Sequence, residues 1–440
     1  MALSPDPSRQ PLSPAEPVSW TPRGLFTVIF LGITAGLQMA DMGLQAVSLS
    51  AIQRSFGVGD AALGALQGLA GVLIGSALAI PLARFADRFS RKRVLLCLIA
   101  ASSALMGLSA VAHQFPLFFV GRSAAGITEF AMVPLVYSMI PDLAPERHRV
   151  AANLGFAALV AAGASAGFYF SGAILAAADA GFAWHAEPWR KAFLLLGLAG
   201  LPLLMLGTLT ADPARHLGAE DRAAHGSLLA FLRRRWRTVG LFVGTAGCLI
   251  TAVQALNQLV ALALERRFQA APADIGHAMG LIILVTSVGC LPVAGVLDRA
   301  LARRVGQAAR PLVMGLSVII AIPALLLLTS LRTLDQAFVA VGLFLFMTCT
   351  ANALVPTMLQ DLAPASLRAR CFAIWSFVVS LFGASGPLMA GTLSDWFFDQ
   401  HMLDAIAAVA VPALAVSMTC ALRSVLRTRR DRAPAESTPA

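Results

Sequence analysis

Apolar runs of about 20 residues, parted by short polar stretches, recur along the whole chain. About 20 such residues are what a helix needs to cross the hydrocarbon of a bilayer. The pattern predicts twelve spans: 24–50, 60–83, 94–112, 116–140, 149–177, 191–210, 238–263, 275–297, 311–330, 335–360, 369–393 and 403–423. The longest connection is the 27-residue interval 211–237 between spans six and seven. It contains SLLAFLRRRWR, in which an apolar stripe meets an arginine run, as in helices that lie in the membrane interface. The expected fold is therefore all-α and integral to the membrane, with a six-helix bundle over 23–210, a central loop over 211–237 and a second six-helix bundle over 238–424. Residues 1–22 carry Pro at 5, 7, 11, 14, 17 and 22, lack the apolar core of a signal peptide, and are expected to be a disordered tail. A second tail covers 425–440.

Composition agrees with this reading. The chain is 58% hydrophobic and 13% charged, about half the charged share of a soluble domain. Its basic residues are asymmetric. With both termini in the cytoplasm, 26 of the 33 Lys and Arg fall on the cytoplasmic side. Six fall outside (Arg54, Arg190, Lys191, Arg266, Arg267 and Arg332), and Arg122 lies within the membrane. This is the positive-inside pattern. The net charge of +10 thus reports orientation and attraction to a lipid surface, and no groove-reading nucleic-acid module is present. Cys97, Cys248, Cys290, Cys349, Cys371 and Cys420 all lie in apolar spans without metal spacing and read as small hydrophobes. No nucleotide loop or nucleophile motif stands in a suitable context, so neither an enzyme nor an ATP-driven pump is expected, and no cofactor is called for.

The two halves repeat. PLARFADR (81–88) matches PVAGVLDR (292–299) at an offset of 211, and DLAPERHR (142–149) matches DLAPASLR (361–368) at 219. GASAG (163–167) matches GASGP (383–387) at 220. Each pair occupies the same place in its half, which indicates a duplication in parallel orientation.

Three charges lie deep in the predicted spans: Asp41 in span one, and Arg122 and Glu129 in span four. Each costs about 2.5–3.5 kcal/mol at bilayer depth even on lenient scales. Arg122 and Glu129 are seven residues apart and share a helix face. Thr34, Gln38, Asp41, Gln45 and Ser48 recur at spacings of 4, 3, 4 and 3, so span one presents one polar face, as a helix lining a wet cavity would. Two carboxylates sharing one Arg suggest proton coupling through Asp41, Glu129 and Arg122. The plainer reading is a structural pair holding helices together. In the second half the corresponding positions are neutral. Gln254, Asn257, Gln258, Thr348, Asn352, Trp375 and Ser376 are expected to form either a substrate-facing wall or ordinary interhelical hydrogen bonds. In the loop after span two, Asp87 would face the start of span eleven, and Arg88 or Arg91 would meet Asp142. Asp298, Arg299 and Asp361 would repeat this in the second half, as gating contacts or as topology signals alone.

Asp-Arg-x-x-Arg-Lys-Arg (87–93) resembles the signature loop of the major facilitator superfamily, which usually has Gly where this chain has Ala83 and Ser90. The Ser form, the Gly121, Arg122, Gly126 and Glu129 pattern, Asp142, and Asp41 in span one resemble the Spinster branch, although Met42 stands where that branch usually has Arg. The resemblance covers 24–423 and implies a secondary transporter, monomeric, of bacterial inner-membrane type, working by alternating access and driven by protons. It implies a lipid-like amphipathic substrate. The alternatives are a multidrug exporter for lipophilic compounds, which the carboxylates would suit, and a non-transporting receptor on the same scaffold.

Overall fold

The computed structural model describes residues 21–74, 77, 89–145, 148–181, 184–212, 228–363 and 367–430. The N-terminal half contains α1 (Pro22–Val47), α2 (Leu49–Phe56), α3 (Asp60–Ala65), a π-helical stretch Leu66–Ile74, α4 (Arg91–Val111), α5 (Phe115–Leu143), α6 (Arg149–Tyr169), α7 (Ser171–Gly181) and α8 (Pro188–Gly207). A short α9 (Leu228–Arg234) precedes the second half. That half contains α10 (Trp236–Phe268), α11 (Pro272–Val305), α12 (Ala309–Ser330), α13 (Leu334–Asn352), α14 (Val355–Leu362), α15 (Arg368–Trp396) and α16 (Met402–Arg430).

Eleven of the twelve expected spans are present among the described residues, three of them broken, and span two is described from Asp60 to Ile74, its remainder apart from residue 77 lying outside the described residues. Span one is α1 with α2, span five is α6 with α7, and span ten is α13 with α14. Ten helical stretches are long and apolar enough to cross a membrane, and α5 and the segment from Asp60 complete the set. Local chemistry sets several boundaries. Thr21 caps α1 by accepting from Gly24 N at 2.9 Å, and Pro22 at the first position loses no helical bond. Ser90, where Gly is usual in the resembling loop, caps α4 by accepting from Arg93 N at 3.3 Å and donates to Asp212 at 2.6 Å. In span ten, Pro356 cannot donate to the preceding turn, and the helix breaks just before it.

Small residues set the packing. A Cβ at Gly163 would lie 2.3 Å from Gly36 Cα, and one at Gly167 2.2 Å from the Ala40 carbonyl, so spans one and five touch backbone to backbone. The repeat supplies the counterpart, since a Cβ at Gly386 would lie 2.3 Å from the Thr251 carbonyl of span seven. The duplicated GASAG and GASGP elements are therefore packing motifs. Val285, Val288, Leu327 and Val339 are more than half exposed, which suits a surface facing lipid. The sequence SLLAFLRRRWR forms α9 and the start of α10, with Leu229 and Trp236 exposed among arginines.

Ala180 in α7 and Ala302 in α11 are both exposed and lie at opposite ends of the bundles. Single cysteines at these positions, in a background lacking the native six, are expected to label from opposite sides of the membrane in intact cells. Residue 180 should react with an impermeant maleimide directly, and residue 302 only after permeabilisation. Direct labelling of both would refute the expected orientation.

Candidate functional site

Arg122 on α5 and Asp41 on α1 form an ion pair of 2.6 Å between side chains that are 5% and 0% exposed. The pair joins spans one and four inside the N-terminal bundle. The contact is close but not aligned as a hydrogen bond: both Asp41 carboxylate oxygens and Arg122 Nε and Nη1 lack a hydrogen-bond partner among the described residues. Glu129, buried two turns along α5, is within electrostatic reach of both, and its Oε1 is also unpartnered. Arg122 rests over the Phe193 ring of α8 at 5.2 Å, so an aromatic face shares its charge. Phe193 meets Phe118 and Trp189 edge to face in a buried aromatic cluster.

The predicted stripe on span one is present as a face. Thr34, Gln38, Asp41, Gln45 and Ser48 are all buried, and each keeps at least one side-chain atom without a hydrogen-bond partner among the described residues. Buried polar groups are normally paired, so a row of such atoms marks a surface suited to water, protons or a polar solute. The row continues across the molecule. Gln45 donates to Gln67 of the π-helical stretch, and Gln67 donates to the Gln258 carbonyl of α10 at 3.1 Å. Gln67 was not singled out from sequence. The signal was there: it is a lone amide in an otherwise apolar run, and π turns gather at functional positions.

The second-half residues divide. Gln254, Asn257 and Gln258 on α10 are partly buried, and Asn352 is exposed. Thr348 is fully buried and donates to its own helix at Phe344 O (2.8 Å), and Ser376 does the same to Phe372 O (3.0 Å). Trp375 packs against Phe242 with ring centroids 4.7 Å apart and planes tilted by 56°. The structure thus brings Gln258 to the seam between the halves and leaves Thr348 and Ser376 in local hydrogen bonds.

Two sets of polar contacts lie at the ends. On the face that carries the chain termini, Arg91 pairs with Asp142. In the second half Arg310, rather than Arg299, pairs with Asp361 and lies 3.5 Å from Asp298. Arg91 and Arg310 are separated by the repeat offset of 219, as are Asp142 and Asp361, so one ion pair was duplicated with the fold. That offset, applied to every charged residue, would have found Arg310. Arg299 is exposed, and Asp87 and Arg88 lie outside the described residues.

On the opposite face the two halves are joined directly. Arg266 of α10 binds the fully buried Asp60 at the start of α3 through two hydrogen bonds of 2.5 and 2.7 Å, and it binds Gln53 at 2.6 Å. Ser394 of α15 donates to Asp60 at 2.6 Å. Asp395 accepts from the backbone N–H groups of Asp60 and Ala61 at 3.0 and 2.8 Å, so a carboxylate from one half caps a helix of the other. Beside this lock, a Cβ at Gly64 would lie 2.3 Å from the Pro387 carbonyl, and Ser165 of span five donates to the Gly280 carbonyl of span eight at 2.8 Å. Sequence reading had placed Arg266 only as an outside charge, because its partner is 206 residues away.

Two pseudo-repeated six-span bundles, meeting over a polar seam and bolted at one face, define a membrane transporter of the two-bundle kind. The chain belongs to the Major Facilitator Superfamily, whose model matches residues 31–387. It is 25% identical over 414 residues to an MFS-type efflux pump of Mycolicibacterium smegmatis, covering 91% of this chain and 92% of that one. It is 24% identical over 389 residues to the 3-(3-hydroxy-phenyl)propionate transporter of Escherichia coli, covering 87% and 90%. In fold it is similar to the crystal structure of a bacterial homologue of the human lysosomal transporter Spinster, inward-facing and unoccupied. The TM-score is 0.76 at 19% identity, with 96% and 100% of the two chains covered. The chain is thus a secondary transporter and not an enzyme.

The lock can be tested directly. Arg266→Gln strands Asp60 and is expected to favour separation of the halves at the opposite face. A loss of about 1–2 kcal/mol would shift the closed-to-open ratio roughly 5- to 30-fold. Spin labels on exposed positions of that face, read by pulsed dipolar spectroscopy, should gain a longer-distance population. An unchanged distribution would show that glycine packing alone holds this face closed.

Proposed function

We propose that this transporter is driven by protons and moves an amphipathic organic solute, with Asp41, Glu129 and Arg122 as the coupling group. The observation that carries the reading is one buried guanidinium shared by two buried carboxylates. With both carboxylates ionised the cluster keeps a net negative charge in a low-dielectric interior, and a single proton neutralises it. A proton on Asp41 or Glu129 frees Arg122 to change partner, so proton binding and the relative placement of spans one and four become linked. Protons are the only coupling species the reading calls for. The protein works as a monomer in the bacterial inner membrane, with both termini in the cytoplasm.

For the solute, a seam lined by neutral polar groups with few charges favours an amphiphile over a sugar phosphate or a dicarboxylate. A lysophospholipid or sphingoid compound fits the Spinster-like span-four pattern. The second reading is export of lipophilic compounds, favoured by the similarity to an MFS-type efflux pump over nearly the full length of both chains. Gradient-dependent flux of either kind excludes a non-transporting receptor.

The test is flux in proteoliposomes with and without an imposed pH gradient, using a fluorescent lysophospholipid and ethidium as probes. Asp41→Asn and Glu129→Gln are each expected to lower gradient-driven accumulation at least 10-fold while leaving exchange at equilibrium. Arg122→Ala is expected to cost stability as well, because it strands Asp41. Parent-like accumulation in both carboxylate variants would make the pair structural.

A further inference from the structure

A cleft of about 550 Å³ opens at the termini face of the C-terminal bundle, away from the seam between the halves. Arg234 and Arg235 at the junction of α9 and α10, Arg310 of α12 and Arg427 of α16 line it. Asp361 is the one carboxylate among the described lining residues, and Arg310 already holds it. The side chains of Arg234, Arg235 and Arg427 make no ion pair or hydrogen bond among the described residues. The basic residues at the same face of the N-terminal bundle behave differently. There Lys92 donates to the Thr208 and Thr210 carbonyls at 2.6 and 2.9 Å, and Arg23 donates to Leu209 O at 3.0 Å, so both cap the end of span six. The arginines of the cleft have no such task.

The cleft is also amphipathic. Phe242, Met358 and Leu362 give it an apolar lining, and Ser424 and Thr428 line it as well, the Thr428 hydroxyl donating to Ser424 O at 2.9 Å. Beside it Leu229 and Trp236 are 76% and 64% exposed, the arrangement of a segment whose apolar side chains sit at headgroup depth. Unpaired guanidinium groups beside an apolar lining, at a membrane surface, match a phosphate ester carrying an apolar chain.

We propose that this cleft binds the phosphate of an anionic phospholipid headgroup or of a soluble phosphate ester, through Arg234, Arg235 and Arg427. The site is separate from the coupling group and does not depend on what is transported. A lipid held there would fix α9 and the start of span seven to the bilayer surface, and so set the footing on which the C-terminal bundle tilts.

The experiment is native mass spectrometry of the full chain released from detergent micelles doped with phosphatidylglycerol or with phosphatidylcholine. The parent is expected to retain phosphatidylglycerol in preference. Arg235→Gln with Arg427→Gln should weaken retention about fivefold for each arginine, about 25-fold together. Arg233→Gln with Arg237→Gln removes the same charge from positions outside the cleft and should change it little. Arg427→Lys, which keeps the charge, should restore most of the binding lost on removing Arg427. A second arm titrates inorganic phosphate and glycerol 3-phosphate against protein in phosphatidylcholine alone. Binding there with the same dependence on Arg235 and Arg427 supports the site and assigns it to a soluble phosphate. Preferential retention of phosphatidylglycerol in the first arm, with no binding of these ions in the second, assigns it to a headgroup. Equal loss in the control pair, or no preference for either anion, would overturn the proposal.

Discussion

The buried charges of spans one and four are arranged around Arg122. A guanidinium 5% exposed inside an apolar bundle is tenable only when paired, because stripping water from an ion costs several kcal/mol. Asp41 supplies the partner at 2.6 Å and Phe193 supplies an aromatic face. The requirement reaches outward. Spans one and four must sit side by side to make the pair, and span one can sit there because Gly163 and Gly167 let span five press against its other face. The surplus carboxylate, Glu129, then has no cation of its own among the residues described around it. A pair alone would be adequate for packing; under the proposed coupling, the second buried carboxylate is what the site exchanges a proton with.

The fold was legible because its signals are local. Each span announces itself within about 20 residues, but the boundaries shift by up to eight: α11 runs on to Val305 and α16 to Arg430, into the stretch expected to be a tail. The polar face of span one was legible for the same reason: its spacing of 4, 3, 4 and 3 lies within one helix. Contacts between distant segments were not. Asp60 and Arg266 read as unremarkable charges near the aqueous boundary, since no periodicity links residues 206 apart. Gln67 needed the π turn to be seen, which shifts the register of its side chain and has no plain sequence mark. Arg310 falls between these cases. The repeat offset of 219 carries Arg91 onto it, but the more visible repeat, the Asp-Arg element, points to Arg299.

Duplication also explains what differs between the halves. The structural pairs were copied: Arg91 with Asp142, and Arg310 with Asp361. So was the small-residue packing of spans one against five and seven against eleven. The buried charges were not, because Asp41, Arg122 and Glu129 correspond to Gln254, Val341 and Thr348. Thr348 turns its hydroxyl to its own helix, which satisfies it without any cross-span partner. The matching positions of the C-terminal bundle therefore carry no carboxylate, while the N-terminal bundle contains two buried ones, Asp41 and Glu129.

The two ion-paired sites differ in how they can be undone. At the opposite face Arg266 is 24% exposed, so when the halves part water can take over the hydrogen bonds to Asp60, Gln53 and the amides that Asp395 caps. The cost of opening is then the difference between protein and water partners, about 0.5–1.5 kcal/mol for an ordinary hydrogen bond and up to about 3 for a charged one. Thermal motion can cross such a step reversibly. Asp41 at 0% exposure has no water to take over, and separating it from Arg122 with both charged would leave two bare ions in hydrocarbon. Only a change of partner or of protonation avoids that. In the proposed cycle the peripheral lock therefore decides which side is open, and the buried cluster decides when the change is permitted. The Gln45, Gln67 and Gln258 chain runs from the face of span one that carries Asp41 to the backbone of span seven, the helix that bears Arg266. Moving span one relative to span four thus disturbs hydrogen bonds that end on the same helix as the lock.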